Sequence, residues 1–181
     1  MKFIYTLINI ANTTILILLV AAVAFFSFKN ATNQPLYIES DFQLLFEAFK
    51  KDAEFYKVTP KFSGLSIAFV KDIEGDILGY CIPKFNTVKI SKLKWNRIGE
   101  LERKLLIYHE LAHCTLLRDH TADNGFICPI SIMHPIITPS VACYPSFKDW
   151  YDRELFTNPN NTTLIDEENY EIISPFSTTN H

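Results

Sequence analysis

The most continuous apolar run in the chain lies near its start. Residues 15–28, ILILLVAAVAFFSF, are interrupted only by Ser27, and a weaker apolar stretch covers residues 3–10. Fourteen residues match the hydrophobic region of a secretory signal. Residues 3–28 together make 26 positions, about 39 Å as a helix, enough to cross a hydrocarbon layer of about 30 Å. Ala22-Val23-Ala24 fits a cleavage signal, but cutting there would leave Phe25, Phe26 and Phe28 at a new N-terminus. The segment therefore reads as an uncleaved signal anchor in preference to a cleaved signal peptide. Either reading carries residue 35 onward across a membrane. The expected location is a tethered domain on the periplasmic or extracellular side, or a secreted one if the signal is removed.

Beyond residue 34 the apolar pattern becomes periodic. A linker containing Pro35 leads to Ser40, an N-cap with Gln43 three residues on, as in a capping box. Phe42, Leu45, Phe46, Phe49, Ala53 and Tyr56 then recur at helical spacing. Leu65, Ile67 and Phe69 alternate, which predicts a strand over 65–70. Residues 72–79 are turn-rich around Gly75 and Gly79. Strands are expected at 80–85 and 87–93, with Pro83 placing the first at an edge or bulge. Asn96 would cap a helix over 97–117, whose buried stripe is Ile98, Leu101, Leu105 and Ala112. A connection with one glycine and four prolines follows, and a long loop in a small domain is usually functional. A short closing helix is expected at 147–156. The resulting organisation is a membrane or signal segment with linker at 1–34, one α+β domain with a small mixed sheet at 35–157, and a polar, flexible tail at 158–181.

The chain has 181 residues and a net charge of −3, which gives no reason to expect nucleic acid as a partner. Its four cysteines, Cys81, Cys114, Cys128 and Cys143, permit two disulfides in an exported domain, with three possible pairings. Cys128 and Cys143 flank a short segment, SIMHP, and a bond between them would close that loop at about 3 kcal/mol.

Three of the five histidines fall within IYHELAHCTLLRDH, residues 107–120. His109 and His113 are four apart on an expected helix, so both rings share a face and can bind one Zn²⁺. Glu110 lies about 100° around the helix from His109, beside a metal rather than on it, where it can take a proton from water. This is the H-E-x-x-H arrangement of zinc peptidases. A catalytic zinc needs a third protein ligand. On an unbroken helix His120 would lie roughly 10 Å along the axis from His113, so the chain must turn after about Leu117 to bring Asp119 or His120 back. Cys114 points away as a core thiol or disulfide partner. His134 reads as structural or exposed. Tyr144 and Tyr151 are more simply packing aromatics than donors to a reacting carbonyl.

The segment resembles the metzincin metallopeptidases, whose pattern is H-E-x-x-H-x-x-G-x-x-H or D followed by a methionine-containing turn. HELAH fits the first half, and SIMHP, residues 131–135, looks like the turn, with Met133 standing 20 residues after His113. In that family the methionine lies beneath the metal without binding it. Two departures stand out. The family's glycine falls on Leu116, and its third ligand falls on Asp119, with His120 one residue late. HELAHCTLLRDH is also similar to a smaller bacterial group with H-E-L-x-H-C-x-L-x-R-x-H, in which the last histidine is the natural ligand. Without the glycine the helix runs on before turning, and one extra residue is then required. The expected ligands are therefore His109, His113 and His120, with Asp119 orienting an imidazole. Glu154 would be the third ligand only in a glutamate-type zinc peptidase, which the methionine turn argues against.

The resemblance implies a zinc metalloendopeptidase acting on peptide or protein substrates, using a zinc-activated water with Glu110 as general base. Two other readings share the residues: a catalytically silent, zinc-stabilised binding domain, and an amidase acting on a cell-wall peptide.

Overall fold

A computed structural model describes residues 15–21, 33–121 and 127–157. The chain divides into two units, 1–34 and 35–181. In the first, residues 15–21 are helical. Most of the expected membrane segment lies outside the described residues, as does the tail 158–181. Among the described residues no helix is long and apolar enough to cross a membrane.

The second unit is a mixed α+β structure. Its elements run β1 (Tyr37–Ile38), α1 (Gln43–Phe55), β2 (Ser66–Val70), β3 (Gly79–Ile82), β4 (Thr87–Ser91), α2 (Lys92–Trp95), α3 (Glu100–Leu111) and α4 (Ile137–Thr157). The four strands form one sheet in the order β1-β2-β4-β3. β1 and β2 are parallel, as are β2 and β4, whereas β3 runs antiparallel to β4 at the edge. The register pairs Ile67 with Val88 and Phe69 with Ile90, and Cys81 lies opposite Val88.

Period-2 alternation buries Ile67, Val88 and Ile90 completely. The helical stripe Phe42, Phe46, Phe49 and Ala53 is buried as well, and so are Leu105, Tyr108, Leu111 and Ala112 of the α3 region. Phe49 stands edge-on to Tyr108, with centroids 5.2 Å apart, and meets Phe156 of α4 at 5.0 Å. Each such side chain contributes about 1.5–3 kcal/mol by leaving water. This core clamps α3 between α1 and α4 and gives the site a rigid floor.

Several expected boundaries shift. Ser40 does not cap α1. Ser40–Phe42 forms a 3₁₀ turn, and the Gln43 amide donates to Ile38 O at 3.0 Å, holding β1 instead of closing a capping box. The linker thus contains a short strand, because Tyr37 and Ile38 pair with β2. Asn96 ends α2, which Ser91 caps by accepting from the Lys94 N–H, and α3 begins later, behind Gly99. The strand expected at 80–85 stops at Ile82, where Pro83 opens a 3₁₀ turn. The closing helix is longer than the expected 147–156: α4 starts at Ile137 and bends at Phe147, after Pro145. Pro139 sits in its first turn, where a missing N–H does no harm, and Pro145 accounts for the bend.

Candidate metal centre

The end of α3 decides the site. From Ala112 to Leu116 the helix widens into a π turn. Leu117 then takes a left-handed conformation, φ 56°, which costs a non-glycine residue about 1–2 kcal/mol. The Arg118 N–H closes the reversal by donating to Ala112 O at 3.1 Å. The chain turns back where expected, and His120 returns to the face that carries His109 and His113.

Three imidazole nitrogens meet there. His109 Nε2 lies 3.0 Å from His113 Nε2 and 3.1 Å from His120 Nε2. The potential ligand atoms of the three residues all fall within 4.8 Å of one another. A tetrahedral ion with bonds of about 2.0–2.1 Å separates its nitrogens by roughly 3.3 Å, close to what is seen. The other ring nitrogens explain why a cation fits. His109 Nδ1 donates to Ile132 O at 2.8 Å, and His113 Nδ1 donates to Arg118 O. A carbonyl only accepts, so Nδ1 carries the ring proton in both, and a neutral ring then presents a bare lone pair on Nε2. Two bare lone pairs 3.0 Å apart repel unless a positive charge lies between them. An extra proton is disfavoured, because burial pushes His109 down to about 3 and lowers His113 and His120 as well. A metal ion meets the same need without protonating a buried ring.

Glu110 shares a cleft of about 950 Å³ with the three histidines. It is almost fully buried. Burial raises its carboxyl to about 8, against a hydrogen bond from the Cys81 backbone that pulls it down. A cation nearby would favour the charged form. The edge strand β3 comes close enough for this contact because Gly79 has no side chain: a Cβ there would stand 2.5 Å from Ile90 Cδ1 and 3.6 Å from Glu110 Cγ. A disulfide between Cys81 and Cys114 ties β3 to the π turn. The loop before β3 forms the rim through Asp76, Ile77 and Leu78. Lys94 gathers it by donating to the carbonyls of Ile73, Gly75 and Ile77 at 2.5, 2.5 and 3.0 Å. On the other side Pro135, Ile136 and Ile137 add an apolar wall.

No family model, curated protein or solved structure matches the chain.

The remaining candidates separate cleanly. Asp119 is exposed and stands outside the histidine cluster, although its charge raises both His113 and His120 against the effect of burial. His134 turns Nδ1 onto its own loop, at Ile136. Neither Tyr144 nor Tyr151 lines the cleft: Tyr144 donates to Asp152 at 2.7 Å and Tyr151 to Pro129 O at 2.7 Å, both buried. Glu154 stands away from the histidines, paired with Arg118. Met133 is fully buried, in the turn whose Ile132 carbonyl receives His109. The second disulfide joins Cys128 and Cys143, the pairing expected around that turn. Arg118 and Ser131, both buried polar residues, take on roles that the sequence pattern did not assign them. The signal for Arg118 was the arginine of the H-E-L-x-H-C-x-L-x-R-x-H pattern, two positions before His120.

Proposed function

We propose that the chain is a zinc-dependent metalloendopeptidase of metzincin-like build, with His109, His113 and His120 as ligands and Glu110 as general base. The observation that carries the reading is the convergence of three imidazole nitrogens in a cleft that also holds a buried carboxylate. Three imidazoles with an open fourth position suit zinc, which supplies Lewis acidity and makes water acidic enough to lose a proton near neutral pH. A Glu110 carboxylate oxygen takes the proton of the attacking water and passes it to the departing amine. The Nδ1–H bonds of His109 and His113 keep their rings turned to the cleft.

An extended peptide main chain suits this cleft. β3 is an edge strand beside Glu110. The Ser91 N–H donates to Leu78 O, so strand alternation turns the backbone groups of Gly79 and Cys81 away from β4, where the Cys81 N–H meets Glu110. Such an edge accepts a further strand, which favours a peptide over a substrate without a regular main chain. The buried Met133 turn under His109 supports the metzincin likeness. A silent zinc-stabilised domain has no use for a carboxylate placed like Glu110. Two disulfides support an oxidising compartment, consistent with membrane attachment through the N-terminal segment and a catalytic domain outside the cytoplasm.

The deciding experiment compares wild type with Glu110→Gln. Both should hold one zinc per chain. Hydrolysis of a peptide library should fall by about 10²–10⁴ in the variant, the usual share of a general base. Absence of stoichiometric zinc in pure wild-type protein would sink the reading. Firmly bound zinc without any cleavage would leave the binding domain in its place.

A further inference from the structure

Both carbonyls that hold the metal-binding rings sit in irregular backbone. Arg118 O follows the left-handed Leu117, and Ile132 O lies in a turn. Neither stretch belongs to a helix or strand that would fix it. What they share is one buried ion pair. The Arg118 guanidinium donates to Glu154 Oε1 at 2.5 Å and to the carbonyls of Glu154 and Leu155, at 2.9 and 2.8 Å, near the end of α4. The second Glu154 oxygen accepts from Ser131 Oγ. Ser131 Oγ in turn accepts from the Met133 N–H at 2.9 Å, so Ile132 is bracketed from both sides. The path is continuous: His113 to Arg118 O, Arg118 to Glu154, Glu154 to Ser131, Ser131 across to Met133, and Ile132 O to His109.

We propose that the buried Arg118–Glu154 pair is a positioning device that sets the orientation of His109 and His113 together, through the two backbone carbonyls they bind. The proposal rests on the reading of the histidines as a metal centre. Arg118 and Glu154 are 2% and 6% exposed, and an ion pair so buried is a poor source of stability, because desolvation offsets its attraction. A guanidinium does offer donors at fixed angles, able to hold a carboxylate and two helix-end carbonyls at once. That geometry locks the segment 118–120 and the turn 131–133 to one point on α4.

The test uses the full-length protein with zinc and Co²⁺ as probes. Ser131→Ala cuts the path to Ile132 while leaving the ion pair. Arg118→Met with Glu154→Leu removes the pair without stranding a charge, a replacement that proteins commonly tolerate. Zinc affinity is read by competition with a chromogenic chelator, ring geometry by the visible absorption of the cobalt-loaded protein, and folding by melting of the metal-free protein. The double variant should melt near wild type yet bind zinc roughly 10- to 100-fold more weakly, with an altered cobalt spectrum. Ser131→Ala should weaken zinc about 10-fold while the metal-free protein still folds, melting below wild type because Glu154 and the Met133 N–H each lose a partner. A folded variant of either kind with wild-type affinity and cobalt spectrum overturns the proposal. If the double variant fails to fold, Ser131→Ala decides alone by the same criterion. Wild type that takes up neither metal overturns the metal reading itself, a result distinct from any difference between variants.

Discussion

Removing the two disulfides one at a time separates stability from catalysis. Cys81 and Cys114 are 33 residues apart in sequence and Cys128 and Cys143 are 15 apart. The loop-entropy relation gives roughly 3.7 and 3.0 kcal/mol for the two bonds. Paired alanine substitutions should therefore lower the urea midpoint by similar amounts. Their effect on turnover should differ. Cys81 supplies the backbone hydrogen bond to Glu110, and Cys114 follows His113 directly, so this bond pins the edge strand against Glu110. Freeing β3 removes a donor from a buried carboxylate, a loss of about 1–3 kcal/mol. That corresponds to a fall of roughly 10- to 100-fold in kcat/KM, with zinc retained. Neither Cys128 nor Cys143 lines the cleft, and their removal should leave kcat/KM within about threefold wherever the protein is still folded. The assay is urea unfolding followed by tryptophan fluorescence, alongside peptide hydrolysis at low temperature. Equal losses of activity in the two variants, or full activity without the Cys81–Cys114 bond, would refute the reasoning.

Two other outcomes are expected. His120→Ala should lose zinc and activity together, whereas Asp119→Ala should bind zinc at most 10- to 100-fold more weakly; metal content after dialysis distinguishes them, and the opposite result would give Asp119 the ligand role. The metal-free protein should also become less stable as pH rises from about 7 to 8. Glu110 is raised to about 8 from an ordinary 4.5, so the folded state keeps a proton that the unfolded chain has already released, and stability is lost as pH rises through that window. Glu110 alone accounts for about 1 kcal/mol between pH 7 and 8. His109, lowered to about 3 from an ordinary 6.5, stays neutral when folded but is partly protonated when unfolded near pH 6.5, and with His113 and His120, lowered too, it opposes the loss at the lower end of the range. Urea titrations of chelator-treated protein should show this fall, and Glu110→Gln should abolish it.

The parts of the fold legible in the sequence were those governed by periodicity. The stripe from Phe42 to Ala53 and the alternation of Leu65 and Ile67 mark elements whose buried faces the structure shows. Boundaries set by competition for hydrogen bonds were not legible. Gln43 could equally close a capping box or hold Ile38, and only the pairing of β1 with β2 favours the second. Ser91 and Asn96 are both acceptable caps, and the choice between them depends on where β4 ends. In the site, a helical spacing of four brings His109 and His113 together by local geometry. The Arg118–Glu154–Ser131 path joins residues 23 and 36 apart, and no local pattern connects them.

The position of His120 shows how one residue of register is absorbed. An α-helix that ended sharply after His113 at a flexible residue would bring the sixth following position, Asp119, back to the face that carries His109 and His113. Leu116 cannot turn as readily as glycine, and it stays helical. The helix instead widens over Ala112–Leu116, and a π turn takes up one more residue than an α turn. The left-handed residue accordingly moves to Leu117, and each position after it is displaced by one. The seventh following residue, His120, then comes to lie 3.1 Å from His109 Nε2 while Asp119 faces solvent. The strained Leu117 is held by the Arg118 N–H on Ala112 O and by the buried guanidinium on α4. Substituting Leu117 by glycine tests this account, because it relieves the left-handed strain while leaving the widened turn in place. Stability should rise by a few tenths to 1 kcal/mol, and zinc should stay on the histidines. A loss of stability of more than 1 kcal/mol would mean that Leu117 contributes packing in the cleft wall that outweighs its strain, and the turn would then need a different explanation.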